Sequence, residues 1–329
     1  MSTQDSIRPA KLTYTLKHTS SGPEPNEDPS IDLWIEALLK KVYPIDLNRQ
    51  KRAKLLLNPF SGKGKTDKLY SQHVEPIFKA SRWIIDVERT TRKEEGKEIV
   101  AMMDINAYDL VVVCSGDGLI HEVFNGLGSR SDARKALNTV PVAHIPCGTG
   151  NGASFNLNGT GSVSRATLAI IKGVPMPLDL ISITQGEDRY LSFLSQALGM
   201  TAETDLATEH MRWIGSARFF LGFFTRLLQK TVYPADIAVK VAIGDKDAIR
   251  HHYNICRKSQ SAENEKLIMK AANIQMGEQK SDLPDEFDQG LPELKYGTIN
   301  DDVPDWEKIS YDHLGSLYCG NVSIAESGC

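Results

Sequence analysis

Apolar runs separated by amphipathic stretches organise the first half of the chain. The runs are Ala53–Asn58, Ile84–Arg89, Asp109–Ser115 and Val140–Ile145. Short runs dominated by Leu, Val and Ile predict strands buried on both faces. Between and after them, Lys65–Ala80, Lys93–Asp104, Gly118–Leu127 and Ser162–Gly173 carry helical periodicity. Alternation of this kind predicts a parallel sheet covered by helices, with right-handed crossovers. Ligands of such sheets sit at the carboxyl ends of the strands.

The texture changes after about residue 176. Leu178–Thr184, Tyr190–Leu198 and Ile237–Ile243 predict strands of a mostly antiparallel unit, interrupted by one apolar helix, Ser216–Leu228. Residues 257–292 are polar and rich in Glu, Gln, Asp, Ser and Pro, which predicts a disordered insertion. Tyr296–Ile299 and Leu317–Val322 are expected to return to the sheet. Upstream, residues 18–30 are turn and linker material, and Ile31–Tyr43 predicts a short amphipathic helix that packs rather than anchors. Three parts are therefore expected: a tail with that helix (1–49), an α/β domain (50–175) and a β-rich domain (176–329).

Composition narrows the setting. A chain of 329 residues, 41% hydrophobic and 24% charged, suits a soluble protein of two domains. A net charge of −4 gives no electrostatic footprint for nucleic acid. The five cysteines form no Cys-x-x-Cys pair, which points to a reducing compartment. Met1–Lys17 lacks the apolar core of a secretory signal, and no run approaches the roughly 20 apolar residues of a membrane span. A cytoplasmic location with at most peripheral contact to intracellular membranes is the expectation; the oligomeric state is not legible.

Glycine loops follow the first, third and fourth predicted strands. Ser115-Gly116-Asp117-Gly118-Leu119-Ile120-His121-Glu122-Val123-Phe124-Asn125-Gly126 delivers one carboxylate, between two glycines, to the start of a helix. Glycines admit backbone N–H groups close to a phosphate, and a helix N-terminus adds partial positive charge there. Asp117 has the chemistry of a general base, a magnesium organiser or a helix cap. Asn58-Pro59-Phe60-Ser61-Gly62-Lys63-Gly64 is a small-residue loop with a lysine, but Pro59 occupies the position where a Walker motif needs glycine. Pro146-Cys147-Gly148-Thr149-Gly150-Asn151-Gly152-Ala153 fits Gly-x-Gly-x-x-Ala, although it comes late for a dinucleotide fingerprint, and the next acid, Asp179, is too distant. Val113 breaks the Gly-x-Ser-x-Gly pattern that would make Ser115 a nucleophile. His121 and His210 lack metal-ligand spacing. By spacing alone, Asp205, Arg212 and Arg218 read as a solvated helix face, and the apolar helix after them as core.

Taken together, in this order and spacing, the three loops resemble the diacylglycerol-kinase catalytic superfamily, and within it the sphingosine kinases of fungal long-chain-base type. The narrower resemblance rests on Ser115 and on His121-Glu122-Val123. It covers roughly residues 50–255 and, weakly, 294–322. It implies a nucleotide-binding α/β domain followed by a β-rich lipid-binding domain, with ATP in the cleft between them and Mg²⁺ as cofactor; the metal ligands are left open. By the same resemblance Asn58, Ser61, Gly62, Lys63, Gly64, Thr90, Gly116, Gly118, Glu122, Gly148, Thr149, Gly150 and Asn151 surround the nucleotide. Arg212 and Arg218 match arginines on its phosphates. Asp117 matches the acid that activates the substrate hydroxyl, and Asp205 the acid that holds the sphingoid amine or hydroxyl. The implied reaction is ATP-dependent phosphorylation of the primary hydroxyl of a sphingoid long-chain base. Diacylglycerol or ceramide kinase, and an inactive remnant that binds nucleotide or lipid, are the alternatives. NAD kinase is more distant, because the His121-Glu122-Val123 helix departs from it. The family's last segment carries an Asp-Gly-Glu motif and further strands. No Asp-Gly-Glu occurs here, so an incomplete closing sheet with unpaired edges is expected.

Overall fold

A computed structural model describes residues 7–9, 29–42, 50–214, 217–256 and 290–321. A helix, α1 (Pro29–Val42), precedes the α/β region in the chain. Strands β1 (Arg52–Leu57), β2 (Ile84–Arg89), β3 (Leu110–Ser115) and β4 (Val142–Pro146) then form a parallel sheet in the order β2-β1-β3-β4. In β1 and β3 the five residues Ala53–Leu57 and the six residues Leu110–Ser115 are all buried, as expected of strands covered on both faces. One core layer joins Leu55, Leu57 and Val112 to Phe78 and Ile171; the other joins Leu56, Val111 and Val113 to Val100, Val123 and Phe124. Lys54 is the polar exception on β1. Its ammonium group pairs with Asp86 (3.0 Å) and Glu88 (2.6 Å) on β2, and Tyr108 donates its hydroxyl proton to Asp86.

Two features of the first crossover depart from the expectation. The predicted helix Lys65–Ala80 begins earlier and is broken into α2 (Ser61–Gly64), α3 (Thr66–Leu69), a wide turn (Tyr70–Val74) and α4 (Glu75–Ser81). Pro76 lies in the first turn of α4; it lacks an N–H and cannot continue a ladder from the preceding turn. A short helix, α7 (Ala133–Thr139), occupies a stretch to which no element is assigned from sequence, and β4 starts after Pro141 rather than at Val140.

Helix α5 (Glu95–Met102) is held at both ends by side chains from α6 (Asp117–Gly128) and the turn after it. Glu122 accepts the Gly96 N–H at 3.0 Å, and Arg130 Nη1 donates to the carbonyls of Val100, Ala101 and Met103 at 3.3, 2.8 and 2.7 Å. An anion at the N-terminus and a cation at the C-terminus both oppose the helix dipole. After β4 come α8 (Gly152–Asn158) and α9 (Val163–Lys172).

The second region is built from two-stranded antiparallel pairs. Strand β5 (Ile181–Gln185) pairs with β6 (Asp188–Ser192), β7 (Ser195–Gly199) with β10 (Ser316–Gly320), and β8 (Ala235–Val239) with β9 (Glu307–Tyr311). The expected strand Tyr190–Leu198 is therefore two, broken where Phe193 turns inward against the Phe124 ring, 5.5 Å between centroids. Tyr296–Ile299 forms turns, not a strand: Gly297 has φ +70°, and the Asp301 carboxylate accepts the Thr298 N–H at 2.6 Å. Strand β9, not foreseen, takes the pairing position. Of the expected insertion, residues 257–289 lie outside the described residues; 246–256, just before it, are helical. Between β7 and β8 lie α10 (Met200–Ala207), a 3₁₀ turn (Glu209–Ile214) and α11 (Ala217–Gln229).

Candidate active site

The carboxyl ends of β1, β3 and β4 lie in register, Leu57 beside Cys114 and Ser115 beside Pro146. Their loops consequently leave the sheet side by side and touch. A Cβ on Gly62 would lie 1.9 Å from the Cys147 carbonyl oxygen, and one on Gly148 would lie 2.3 Å from the Gly116 Cα. Both obstacles are backbone, so only glycine permits the closeness. Gly62 also has φ +55°, a region that favours glycine. The Gly116 N–H donates to Ser61 Oγ at 3.1 Å and ties the second loop to the first. Asn151 grips Gly148 of the third loop on both sides: its Oδ1 accepts the Gly148 N–H and its Nδ2 donates to the Gly148 carbonyl, each at 3.0 Å. Asn58 Oδ1 closes the first loop by accepting the Phe60 N–H at 2.9 Å.

Asp117 stands at the centre. It opens α6, and its carboxylate accepts the N–H groups of Gly152 (2.9 Å, to Oδ2) and Ala153 (3.0 Å, to Oδ1). It thereby caps α8 from across the cleft and holds the second and third loops together. Each carboxylate oxygen carries a second lone pair, so capping does not exhaust its capacity to accept a proton. Thr90, buried at the end of β2, donates its N–H to the Leu57 carbonyl at 2.9 Å beside the first loop. Lys63 lies in α2, with Gly64 (φ +70°) at its end, and Thr149 and Gly150 complete the third loop. Gly118 has open space around its Cα: a methyl group added there would meet nothing within 4 Å.

Glu122 faces a different neighbour. Its carboxylate is engaged at the N-terminus of α5, where burial pushes its ionisation above the ordinary glutamate range. The remaining candidates sit in the second region. Asp205 is on α10 and Arg218 on α11, and they meet each other: Arg218 Nη2 donates to Asp205 Oδ1 at 2.6 Å and Nη1 to the Asp205 carbonyl at 3.3 Å. The guanidinium side chain is only 7% exposed, whereas the Asp205 side chain is 62% exposed. Arg218 also stacks on the Phe219 ring at 4.2 Å. A second ion pair, Arg226 to Glu203 at 3.2 Å, joins the same two helices. Arg212 lies in the 3₁₀ turn between them.

The two regions are stitched by Asn125, a residue of the Asp117 motif that is given no site role from sequence. Asn125 Nδ2 donates to the Leu191 carbonyl and its Oδ1 accepts the Leu191 N–H, both at 2.9 Å, as a neighbouring strand would. Among the described residues no group of three or more His, Cys, Asp or Glu side chains is placed to hold a metal ion. The glycines at 62, 116 and 148 let the three loops pack backbone to backbone, because a Cβ at any of them would crowd the backbone of a neighbouring loop.

A strand-loop-helix unit of this kind, with three glycine loops closing on one aspartate, defines a class. Residues 52–183 match the diacylglycerol kinase catalytic domain, and this part of the chain belongs to that family. Over 243 residues the chain is 40% identical to sphingoid long chain base kinase 5 of Saccharomyces cerevisiae, covering 73% of this chain and 35% of that one. It is 36% identical to sphingoid long chain base kinase 4 of Schizosaccharomyces pombe (72% and 52% covered). With sphingosine kinase 1 of Arabidopsis thaliana the identity is 35% (62% and 42% covered). The chain thus spans between 35% and 52% of the length of these relatives. Among solved structures, a diacylglycerol kinase from Bacillus anthracis str. Sterne aligns with a TM-score of 0.42 at 21% identity, with 58% of each chain covered.

Proposed function

We propose that this protein transfers the γ-phosphoryl group of ATP to the primary hydroxyl of a sphingoid long-chain base. The observation that carries the reading is the closure of the three glycine loops around Asp117, in a chain similar to proteins named for that substrate class. The proposed parts are the tail 1–49, a nucleotide-binding catalytic domain 50–175 and a lipid-substrate domain 176–329.

Phosphoryl transfer asks mainly for positioning and charge stabilisation. In this reading Asn58, Ser61, Gly62, Lys63, Gly64, Thr90, Gly116, Gly118, Gly148, Thr149, Gly150 and Asn151 line the nucleotide. Arg212 and Arg218 stabilise its phosphates, and Glu122 supports that seat by holding α5 against α6. Mg²⁺, arriving on the phosphates, would neutralise charge there. Asp117 accepts the hydroxyl proton as the alcohol oxygen bonds to phosphorus and the bond to the departing ADP breaks. Asp205, with its exposed carboxylate, receives the sphingoid amine.

The outward face of α11 supports a peripheral lipid contact. Phe220 is 80% exposed and Leu228 68%, with Leu221, Phe223, Phe224 and Leu227 exposed between them. An apolar face of this size suits contact with a lipid acceptor or the membrane that supplies it. No described helix is long and apolar enough to cross a membrane.

Labelled ATP and Mg²⁺ are offered with sphinganine, diacylglycerol or NAD, with Asp117→Asn as the blank. Label on sphinganine, absent from the blank, is the expected outcome. Preference for diacylglycerol would replace the acceptor assignment, since Asp205 is already partnered by Arg218 and an amine-free acceptor asks nothing of it. Nucleotide binding with no label on any acceptor would identify an inactive binding protein.

A further inference from the structure

His144 lies in the fourth strand, outside every glycine loop. Its side chain is fully buried, although the residues around it in the sequence, Val142-Ala143-His144-Ile145-Pro146, are otherwise apolar. An imidazole there must do something for its position, because burying a polar ring without a partner is costly.

Its Nε2 lies 2.8 Å from the Ser115 carbonyl oxygen. A carbonyl only accepts, so Nε2 carries the proton and the ring is the Nε2–H tautomer. Burial pushes its ionisation below the ordinary histidine range, which keeps the ring neutral. The Ser115 oxygen also accepts the Cys147 N–H at 2.9 Å. On the other side of the same peptide, the Gly116 N–H donates to Ser61 Oγ at 3.1 Å. The Ser115–Gly116 peptide, which directly precedes Asp117, is therefore fixed by three hydrogen bonds, from the first loop, the fourth strand and the third loop.

The other end of His144 reaches the same assembly. Its carbonyl accepts Asn158 Nδ2 at 2.8 Å, and Asn158 Nδ2 also contacts Ser154 Oγ at 3.2 Å. Asn158 and Ser154 belong to α8, the helix that the Asp117 carboxylate caps through Gly152 and Ala153. One residue thus holds the peptide before Asp117 with its side chain and the helix beyond Asp117 with its backbone.

We infer that His144 is a positioning residue: its Nε2–H orients the Ser115–Gly116 peptide and so aims the Asp117 carboxylate at the acceptor hydroxyl. What it positions is defined by the kinase reading above; the hydrogen-bond arrangement itself is independent of it. Backbone strand pairing supplies only one of the two donors on the Ser115 oxygen, so loss of the imidazole leaves the peptide free to tilt. Gly116 is one of many groups assigned to the nucleotide, so substrate affinity changes far less than turnover.

The test compares His144→Leu, which removes the donor, with His144→Gln, whose amide reaches as far as Nε2, and His144→Asn, whose amide is too short. In the full chain, kcat of His144→Leu and His144→Asn falls on the order of tenfold or more while KM for ATP and acceptor stays within about threefold; His144→Gln recovers most of the loss. Hydrogen exchange is read in parallel over residues 115–118 and 152–153. It accelerates in the Leu and Asn variants and stays near wild type in the Gln variant. Equal behaviour of Gln and Asn, or a loss carried by KM, overturns the inference. If His144→Leu does not fold, the Gln and Asn pair decides. If the wild-type chain labels no acceptor, the kinase reading falls, and unchanged exchange in all variants would sink the His144 assignment separately.

Discussion

The two halves of the described molecule place their chemistry by different means. In the α/β half, backbone fixes the site: strands in register deliver three loops to one edge, and glycines let those loops touch backbone to backbone. In the second half, side chains do the placing. Asp205 and Arg218 are brought together by an ion pair between two helices, and the strands come only in pairs. The central strand β1 buries Leu55, Leu56 and Leu57 completely, while Leu198 and Tyr318 on the β7–β10 pair remain 48% and 50% exposed. In the proposed reading, the covered parallel sheet is the rigid frame for phosphate chemistry and the open set of ribbons is the surface that accommodates an apolar guest.

The largest expected effect tests the rigid half. Leu55→Ala leaves a cavity in a closed core and should cost about 2–5 kcal/mol of stability in urea unfolding. Tyr318→Ala, on the open ribbon, should cost under about 1 kcal/mol. Similar costs at both positions would erase the contrast. Next comes loop contact. Gly148→Ala forces a methyl against Gly116 backbone at 2.3 Å, so nucleotide affinity measured by calorimetry should drop by roughly tenfold or more. Gly315→Ala, outside the candidate site, meets nothing within 4 Å and should bind as wild type. If both behave alike, the loops are not held by that contact.

A third comparison sharpens the side-chain half. Asp205→Ala should reduce turnover of sphinganine on the order of tenfold more than turnover of diacylglycerol, since only the former offers a cation. An equal reduction would assign Asp205 to holding Arg218 alone. The smallest effect is electrostatic. The Tyr108 hydroxyl, then Lys54, hold the Asp86 carboxyl below the usual carboxylate range. A depressed folded-state value contributes stability above the unfolded value near pH 4 and loses it as pH falls through the folded value. Asp86→Asn should therefore flatten the acid limb of stability below about pH 4, by under about 1 kcal/mol because the side chain is 42% exposed. An unchanged acid limb would remove Asp86 from the frame's electrostatics.

Much of the α/β half was legible, because buried parallel strands write themselves as apolar runs. All four expected strands are found, β4 two residues late, and the three glycine stretches follow β1, β3 and β4, although Ser61–Gly64 of the first is itself helical. What failed was local punctuation. Pro76 splits a helix that periodicity carried through, and α7 is only seven residues long, so its brief apolar stripe of Ala133, Ala136 and Leu137 does not stand out. In the second half each strand is short and half exposed, so alternation is weak; Tyr190–Leu198 is read as one strand although Phe193 turns inward between two. Partnerships across long separations were invisible. Nothing in the spacing of Asp117 shows that its carboxylate caps α8, nor does a lone histidine within an apolar run show its bond to Ser115. Asp205 and Arg218, read from spacing as a solvated face, instead meet across a helical hairpin.

The Asn125 clip has a mechanical meaning. By offering Leu191 both a donor and an acceptor, its amide stands in for a missing strand. Asp117 lies eight residues earlier on the same helix, about 12 Å away at the rise of an α-helix. Fixed to β6 near its far end and to α8 at its first turn, α6 acts as a connecting rod rather than a free element. A displacement of the β5–β6 ribbon must therefore pull on the rod and carry the carboxylate at its tip with it.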